Sequence, residues 1–273
     1  MEEIKDLKEI QKLSFNILCY VDKICRENNI KYSLAYGTVI GAVRHKGFIP
    51  WDDDIDIIMP RDDYERFLQI MDNTPHDRYK ALHYGNNCPN YYYRFTKVVD
   101  LTTHLEESTL KTNNNLGVFI DVFPADGIDT SQAPKILKKH LTISRFLVHS
   151  MMEKLDTKNV SKAKLFGKIL IYPIAKLFGS NYWIKKYNKM IEKYPFNEYD
   201  NCLTYSGCYG EKDIFPKKYF DNLIEITFEK KKFLVFKEYD EYLTNMYGDY
   251  MTPPPKEKQV THHNYRVYKK DTK

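Results

Sequence analysis

The stretch that decides the fold reads Trp51-Asp52-Asp53-Asp54-Ile55-Asp56-Ile57-Ile58-Met59-Pro60. Four carboxylates fall within five positions, and the last two alternate with isoleucines. Successive side chains of a strand point to opposite faces, so this alternation predicts a strand over residues 55–59 that buries Ile55 and Ile57. Asp54 and Asp56 then project together from the other face.

Carboxylates that share one face repel each other and raise each other's pKa unless a cation lies between them. A hard divalent ion with oxygen ligands is the usual solution, so the pattern predicts bound Mg²⁺ or Mn²⁺. A third acid, Asp121, lies alone in the apolar stretch 118–123. Burial there is costly unless the carboxylate faces the same ions, caps the end of a strand or pairs with a cation. Three acids on neighbouring strands are compatible with a two-metal site. Asp52 and Asp53 fit a solvated turn or helix caps as well as they fit this site.

Upstream of the acids, the sequence supplies groups that suit phosphate. Gly37 and Thr38 stand ahead of a predicted helix, where backbone N–H groups approach phosphate oxygens closely. Three cationic residues that follow suit the charge of a diphosphate: Arg44, His45 and Lys46. Cations of this kind are also common as solvated surface residues, so both interpretations stay open.

Two more cations lie in residues 91–98, which are predicted to form a strand. Arg94 and Lys97 are three positions apart, so their side chains point to opposite faces of such a strand. At most one of them faces the site, and Lys97 is the candidate phosphate ligand.

The remaining pattern divides the chain into three parts. Residues 1–130 combine an amphipathic helix over 3–28 with short strands, which indicates an α/β (α+β) catalytic core with a small mixed sheet flanked by helices. Residues 131–200 form a basic helical insert, and residues 201–273 complete the catalytic domain. Strands are predicted over 31–36, 55–59, 79–84, 91–98, 102–106, 117–123, 224–228 and 233–236, and helices over 38–44 (capped by Thr38), 60–71 and 238–247, with an extended or irregular tail from Pro253.

The charge is distributed unevenly. Residues 131–193 contain fourteen Lys or Arg and three Asp or Glu, a net +11, which leaves −6 for the rest of a chain whose total is +5. Within this insert, residues 165–178 mix lysines with a broad apolar face. That pattern fits an interfacial helix pair on anionic lipid, and it fits equally a core helical hairpin that is broken at Pro173.

Composition excludes several classes of protein. With 273 residues, 42% hydrophobic and 29% charged, the chain has enough apolar surface for an ordinary core and is not disordered or collagenous. Its five cysteines lack any C-x-x-C spacing, which favours a reducing compartment over a disulfide framework or a zinc site. No signal peptide or transmembrane run is recognisable, so we expect a cytoplasmic protein.

The motif from Tyr36-Gly37-Thr38 through Gly41-Ala42-Val43-Arg44-His45-Lys46-Gly47-Phe48-Ile49-Pro50-Trp51 to Asp56 resembles the LicD family of phosphocholine transferases. The segments Phe119-Ile120-Asp121-Val122-Phe123-Pro124 and Tyr247-Gly248-Asp249-Tyr250 are also similar to that family. More broadly, a Gly-Thr turn followed by Asp-Ile-Asp and a later single Asp resembles the nucleotidyltransferase fold. The resemblance extends from about residue 5 to 265, although 130–200 match only in helical character.

This resemblance implies a transferase that moves phosphocholine, or a related phosphoalcohol, from CDP-choline or a similar CDP-alcohol to a sugar hydroxyl. The acceptor would be a lipid-linked precursor of a cell-surface glycan, teichoic acid or lipopolysaccharide at the inner face of the membrane, and CMP would be released. It further implies that Asp54 and Asp56 hold the metal ions, that Asp121 ligates one ion and accepts the acceptor proton, and that Gly37 and Thr38 position the phosphates.

A choline headgroup calls for aromatic rings, because a quaternary ammonium forms no conventional hydrogen bond. Trp51 and Tyr92, within the run 91–93, are the candidates, although aromatic core packing explains such rings equally well. His262 is a further candidate for the metal or the acceptor, with an exposed tail as the alternative.

Two other functions remain open. A nucleotidyltransferase would place a nucleoside monophosphate on a small molecule, and a non-catalytic module would only bind a nucleotide or a membrane. Retention of three mutually repelling acids argues against the second. No nucleic-acid partner is expected, since no DNA- or RNA-binding motif accompanies the basic segment.

Overall fold

The computed structural model describes residues 1–85, 88, 91, 93–107, 116–152, 154–155, 161–207, 209–261 and 265–271, the side chains of residues 107 and 162–164 excepted. Two candidate site residues, Tyr92 and His262, therefore lie outside the described residues. The helices are α1 (Leu7–Glu27), α2 (Tyr36–Ile40), α3 (Arg61–Asn73), α4 (Ala133–Met151), α5 (Lys162–Ile191) and α6 (Tyr239–Tyr247). The strands are β1 (Glu2–Glu3), β2 (Ser33–Leu34), β3 (Asp56–Pro60), β4 (Tyr79–Leu82), β5 (Thr96–Asp100), β6 (Thr103–Glu107), β7 (Phe119–Gly127), β8 (Asn201–Leu203), β9 (Phe215–Pro216), β10 (Leu223–Phe228), β11 (Lys231–Phe236) and β12 (Tyr265–Lys269).

The central sheet has the order β2-β3-β7-β5-β4, with β8 on β7 and β9 on β8. Only β3 and β7 run parallel, and in their register Asp56 lies opposite Asp121. The structure thus confirms the α/β class with a mixed sheet, and it places two of the predicted site carboxylates side by side on neighbouring strands.

Helix α1 packs on this sheet through the face that its periodicity predicts. Ile17, Leu18 and Val21 are fully buried there. Asp6 caps the helix by accepting a hydrogen bond from the Lys8 N–H, and this cap fixes the start of the helix four residues later than predicted. The hairpin β10–β11 and helix α6 also form at their predicted positions.

The predicted boundaries around the acidic motif are wrong in three respects. The strand expected over 31–36 is only two residues long, since the chain turns into α2 at Tyr36. Thr38 does not cap that helix, because its hydroxyl accepts a hydrogen bond from the Asp56 N–H at 2.9 Å. Asp54 precedes β3, so it does not share a strand with Asp56.

The prediction of a strand over 91–98 is also wrong at its start, because the strand begins at Thr96. The tail holds a strand that the pattern did not predict: β12 pairs with β6 and β1 in a separate antiparallel sheet. Neighbouring segments of such a sheet are far apart in sequence, and so no local pattern identifies the pairing.

The basic insert folds as the helices α4 and α5 with a second apolar cluster, which includes Leu147, Trp183 and Tyr187. The expected break at Pro173 is wrong. Pro173 lies inside the helix, and the chain instead breaks at Gly179, where φ is 73° and ψ is 166°. Such a φ favours glycine, which explains why the break occurs there. Among the described residues, no helix is long and apolar enough to span a bilayer.

Candidate active site

A cleft of about 710 Å³ opens beside the parallel pair β3–β7. Five carboxylates line it, and we call it the acidic cleft after the four that lie on β7, on β3 or in the loop before β3: Asp52, Asp54, Asp56 and Asp121. The fifth, Asp249, lies after α6 and accepts hydrogen bonds from Thr252. The structure therefore brings the three predicted acids to one cavity and adds Asp52, which the sequence left undecided.

The loop before β3 carries a compact carboxylate group. One oxygen from each of Asp52, Asp53 and Asp54 lies within 4.8 Å of the other two, the only such group of three among the described residues. Asp53 is buried, hydrogen-bonded to Tyr265 of β12 and not among the groups that line the cleft. This explains one of the two ambiguous acids: Asp53 attaches the loop to the C-terminal strand.

The surroundings of Asp56 oppose its ionisation. Burial raises its pKa well above the ordinary value, and the charges of Asp54, Asp121 and Asp52 raise it further. Lys97 acts in the opposite direction. Its ammonium is itself buried and lies 2.8 and 3.2 Å from the two carboxylate oxygens of Asp121.

The donor set of the acidic cleft fits a hard divalent cation. Lys97 already pairs with Asp121, yet Asp52, Asp54 and Asp56 line the same cavity. Mutual repulsion and burial disfavour the ionised form of Asp56, and a doubly charged ion with oxygen ligands offsets both effects. Asp52, Asp54 and Asp56, with Asp121 beside them, are thus the groups that could hold Mg²⁺ or Mn²⁺.

The backbone of the acidic loop is held by distant residues. The side-chain amide of Gln11, on α1, donates to the carbonyl oxygen of Asp52 at 2.7 Å. Gly37 lies directly under the same aspartate, because a Cβ at Gly37 would come within 2.9 Å of Asp52 Oδ2. Gly37 therefore permits a carboxylate to approach the start of α2, and any larger residue would displace it.

The predicted phosphate ligands separate in the structure. Arg44 lines the cleft and donates to the Tyr250 carbonyl at 2.8 Å and to His45 Nε2 at 2.9 Å. Burial and the charge of Arg44 lower the pKa of His45, so its imidazole is neutral at pH 7. Lys46 is exposed at a turn with φ of 59° and is not among the lining residues. Thr38 is not among the lining residues, and its hydroxyl accepts the hydrogen bond from the Asp56 N–H.

The prediction that at most one of Arg94 and Lys97 faces the site agrees with the lining of the cleft, but it chose Lys97, whereas Arg94 is the lining residue. It assumed a strand at both positions, whereas Arg94 precedes β5. Arg94 lines the cleft and donates to Ser144 Oγ of α4 at 2.8 Å, while Lys97 lies behind Asp121. Arg94 therefore connects the cleft with the insert, although the sequence did not select it as a phosphate ligand.

Aromatic rings form one wall of the acidic cleft. Trp51 lines it, as do Tyr36, Tyr209 and Tyr247. The Tyr209 ring centroid lies 5.9 Å from that of Tyr36 and 5.1 Å from that of Tyr247. Tyr247 belongs to the segment Tyr247-Gly248-Asp249-Tyr250, whose similarity to a known family was the one signal in the sequence that could have identified it.

Tyr36 has an unusual backbone conformation, and its hydroxyl is held by two side chains. Its φ of 48° is unusual for an aromatic residue, and its hydroxyl hydrogen-bonds Thr204 and donates to Asp213 Oδ1 at 3.1 Å. From the run 91–93, Tyr93 lines the cleft, whereas Tyr91 is buried and donates its hydroxyl to the Phe95 carbonyl.

Comparison with known proteins gives one family. The family model described as LicD/FKTN/FKRP, nucleotidyltransferase domain, matches residues 29–149. A protein of Haemophilus influenzae, named lipopolysaccharide cholinephosphotransferase LicD, is 34% identical over 269 residues, which are 96% of this chain and 97% of that protein. An uncharacterized protein of Rickettsia typhi is 43% identical over 61 residues, which are 22% of this chain and 20% of that protein. An uncharacterized protein of Rickettsia prowazekii is 47% identical over 49 residues, which are 18% of each chain. The Haemophilus match spans nearly the whole of both chains, and the family model contains Asp52, Asp54, Asp56 and Asp121, so this chain belongs to the LicD family.

Proposed function

We propose that the protein is a metal-dependent phosphocholine transferase. In this proposal it moves phosphocholine from CDP-choline to a sugar hydroxyl of a lipid-linked glycan precursor, such as one of lipopolysaccharide or teichoic acid, and releases CMP in the cytoplasm. The Haemophilus relative supports the group that is transferred, since its printed name is lipopolysaccharide cholinephosphotransferase. The observation that carries the proposal is the acidic cleft, where the carboxylates of β3, β7 and the loop before β3 share one cavity with Arg44 and a set of aromatic rings.

The reaction is an in-line substitution at phosphorus. The acceptor oxygen forms a bond to the phosphorus of the phosphocholine group, the bond from that phosphorus to the CMP oxygen breaks, and the hydroxyl proton leaves to a base. Such a transfer depends more on positioning and on neutralised charge than on covalent catalysis. Bound Mg²⁺ or Mn²⁺ would supply most of that neutralisation at the diphosphate.

The chain's own residues then divide the remaining work. Asp54 and Asp56, with Asp52 beside them, are proposed to hold the ions against the diphosphate. Asp121 is proposed to contact an ion and to accept the proton of the attacking hydroxyl, held in position by Lys97. Arg44 is proposed to donate to the phosphate oxygens from the cleft wall.

The aromatic wall suits the headgroup. A trimethylammonium group is attracted to the faces of aromatic rings, and this attraction needs no hydrogen bond. Tyr209, Tyr247 and Trp51 present such rings to the same cavity as the carboxylates. We propose these three residues as the choline site, with Trp51 the one predicted from the sequence.

Product analysis with a set of donors tests the proposal. CDP-choline, CDP-ethanolamine, CDP-glycerol and CDP-ribitol are each incubated with lipid-linked glycans and Mn²⁺ or with EDTA. We expect metal-dependent CMP release with choline label entering the glycan. Pyrophosphate release from a nucleoside triphosphate, without CMP release from any donor, would instead identify a nucleotidyltransferase.

A further inference from the structure

The first half of α5 exposes an unusual amount of apolar surface. The described part of the chain has thirteen exposed large apolar side chains, and six of them lie on this one helical stretch. We call them the α5 apolar face: Phe166, Ile169, Leu170, Ile174, Leu177 and Phe178. Their exposed fractions range from 45% to 81%, so this concentration is a continuous surface and not a scatter of single residues.

The six side chains lie on one side of the helix. At about 100° of rotation per residue, they fall within roughly half of the helix circumference. Ala175 lies opposite Phe166 on the same helix and is fully buried. Beyond the break at Gly179 the pattern reverses, since Trp183, Ile184 and Tyr187 are buried in the insert's own apolar cluster. Only the second half of α5 therefore behaves as a core helix.

The insert that carries the α5 apolar face is strongly basic. Residues 131–193 have a net charge of +11, and Lys176 is exposed at one edge of the face. A second copy of the chain would bring an equal positive charge against this surface across a symmetric interface. An anionic surface would instead complement it, because lysine attracts anionic headgroups while apolar side chains enter the boundary between headgroups and acyl chains.

We propose that the α5 apolar face docks the protein on the surface of a bilayer that contains anionic lipid. The helix would lie in the plane of the interface, with its apolar side toward the acyl chains and the positive charge of the insert near the headgroups. This mode of binding requires no membrane-spanning helix and is consistent with the finding that no described helix could span.

The docked helix would lie next to the acidic cleft. The last turns of α4 line the cleft through Leu147, Val148 and Met151. Helix α5 packs on those same turns, where Lys176 Nζ donates to the Ser150 carbonyl at 3.1 Å. Docking through α5 would therefore bring the mouth of the cleft close to the membrane, where a lipid-linked acceptor is found. That last consequence rests on the proposed function, but the docking itself does not.

Sedimentation with vesicles tests the proposal. The full chain is mixed with vesicles of phosphatidylcholine alone, or of equal parts phosphatidylcholine and phosphatidylglycerol. We expect binding to the anionic vesicles that weakens as salt is raised, and a partition coefficient about tenfold lower in Phe166→Ser/Leu177→Ser. The matched control is Ile224→Ser/Val260→Ser, which removes two exposed apolar side chains elsewhere and should bind like the wild type.

Several results would overturn the proposal. These are no binding of the wild type to anionic vesicles, or equal loss of binding in the control variant. A wild-type dimer in analytical ultracentrifugation that Phe166→Ser/Leu177→Ser converts to a monomer would show that a second copy covers the face. The assays contain neither donor nor acceptor, so their failure and the failure of phosphocholine transfer are distinguishable.

Discussion

Lys97 and Asp121 form a buried ion pair at the acidic cleft. Removing the lysine leaves a buried carboxylate without the ammonium that pairs with it. Breaking such a pair costs about 3–5 kcal/mol of folding free energy. We therefore expect Lys97→Met to lower the free energy of unfolding by that amount in urea titrations with EDTA, and Mg²⁺ to restore part of the loss.

The control for this experiment is Lys80→Met on the neighbouring strand β4, where the side chain is exposed. A surface lysine contributes little, so this variant should unfold like the wild type. Equal stability of the two variants would show that the Lys97 ion pair does not hold the site together.

Asp213 gives the protein a pH dependence that lies outside the acidic cleft. Burial raises its pKa to about 6, although hydrogen bonds from the Tyr209 N–H and the Tyr36 hydroxyl act in the opposite direction. The folded state thus binds this proton more tightly than the unfolded state. The resulting stability is present in full below about pH 3.9 and is lost as the pH rises through 6, by up to ~3 kcal/mol.

Urea titrations from pH 4.5 to 7.5 measure this effect as a difference between the wild type and Asp213→Asn, which cannot ionise. We expect the stability of the wild type to fall relative to the variant as the pH rises through this window. A constant difference would show that Asp213 has an ordinary pKa in the folded protein.

The turn that follows α2 depends on a close backbone approach. A Cβ at Gly41 would lie closer than 3.0 Å to the carbonyl oxygen of Gly47, and backbone cannot move aside as a flexible side chain does. Gly41→Ala should therefore destabilise the protein by about 1–3 kcal/mol and displace the loop that leads to the acids. Thermal unfolding and CMP release measure the two effects.

Gly167 offers the matched comparison on α5. No atom lies within 4 Å of a Cβ added there, so Gly167→Ala should stabilise the helix by about 0.5–1 kcal/mol. If Gly41→Ala proved as stable as Gly167→Ala, the close approach to Gly47 would not be a constraint on the fold.

Individual strands and helices were predictable from the sequence where a local residue pattern determines them. The alternation around Ile57 identified β3, and the apolar run around Asp121 identified β7, because both strands are buried at the centre of the sheet. The break of α5 was misplaced because proline is the stronger signal in a sequence, whereas the residue of α5 that leaves the helical φ and ψ is Gly179.

Across the whole molecule, prediction failed wherever distant segments meet. The pairing of β12 with β6 joins positions about 160 residues apart. Strand β12 contains Tyr265, which is hydrogen-bonded to Asp53. The cleft's aromatic wall likewise joins Tyr36 to Tyr209 and Tyr247, which no spacing rule connects. Motif similarity identified the carboxylates, while the surrounding walls required the three-dimensional structure.

CMP release from CDP-choline is the direct test of the acidic cleft as a metal-dependent active site. The rate is measured with Mn²⁺ and with EDTA for the wild type, Asp56→Asn and the exposed control Asp77→Asn. We expect EDTA to abolish CMP release and Asp56→Asn to reduce it at least ~100-fold without loss of folding, while Asp77→Asn should match the wild type. Full activity of Asp56→Asn, or CMP release that persists in EDTA, would contradict it.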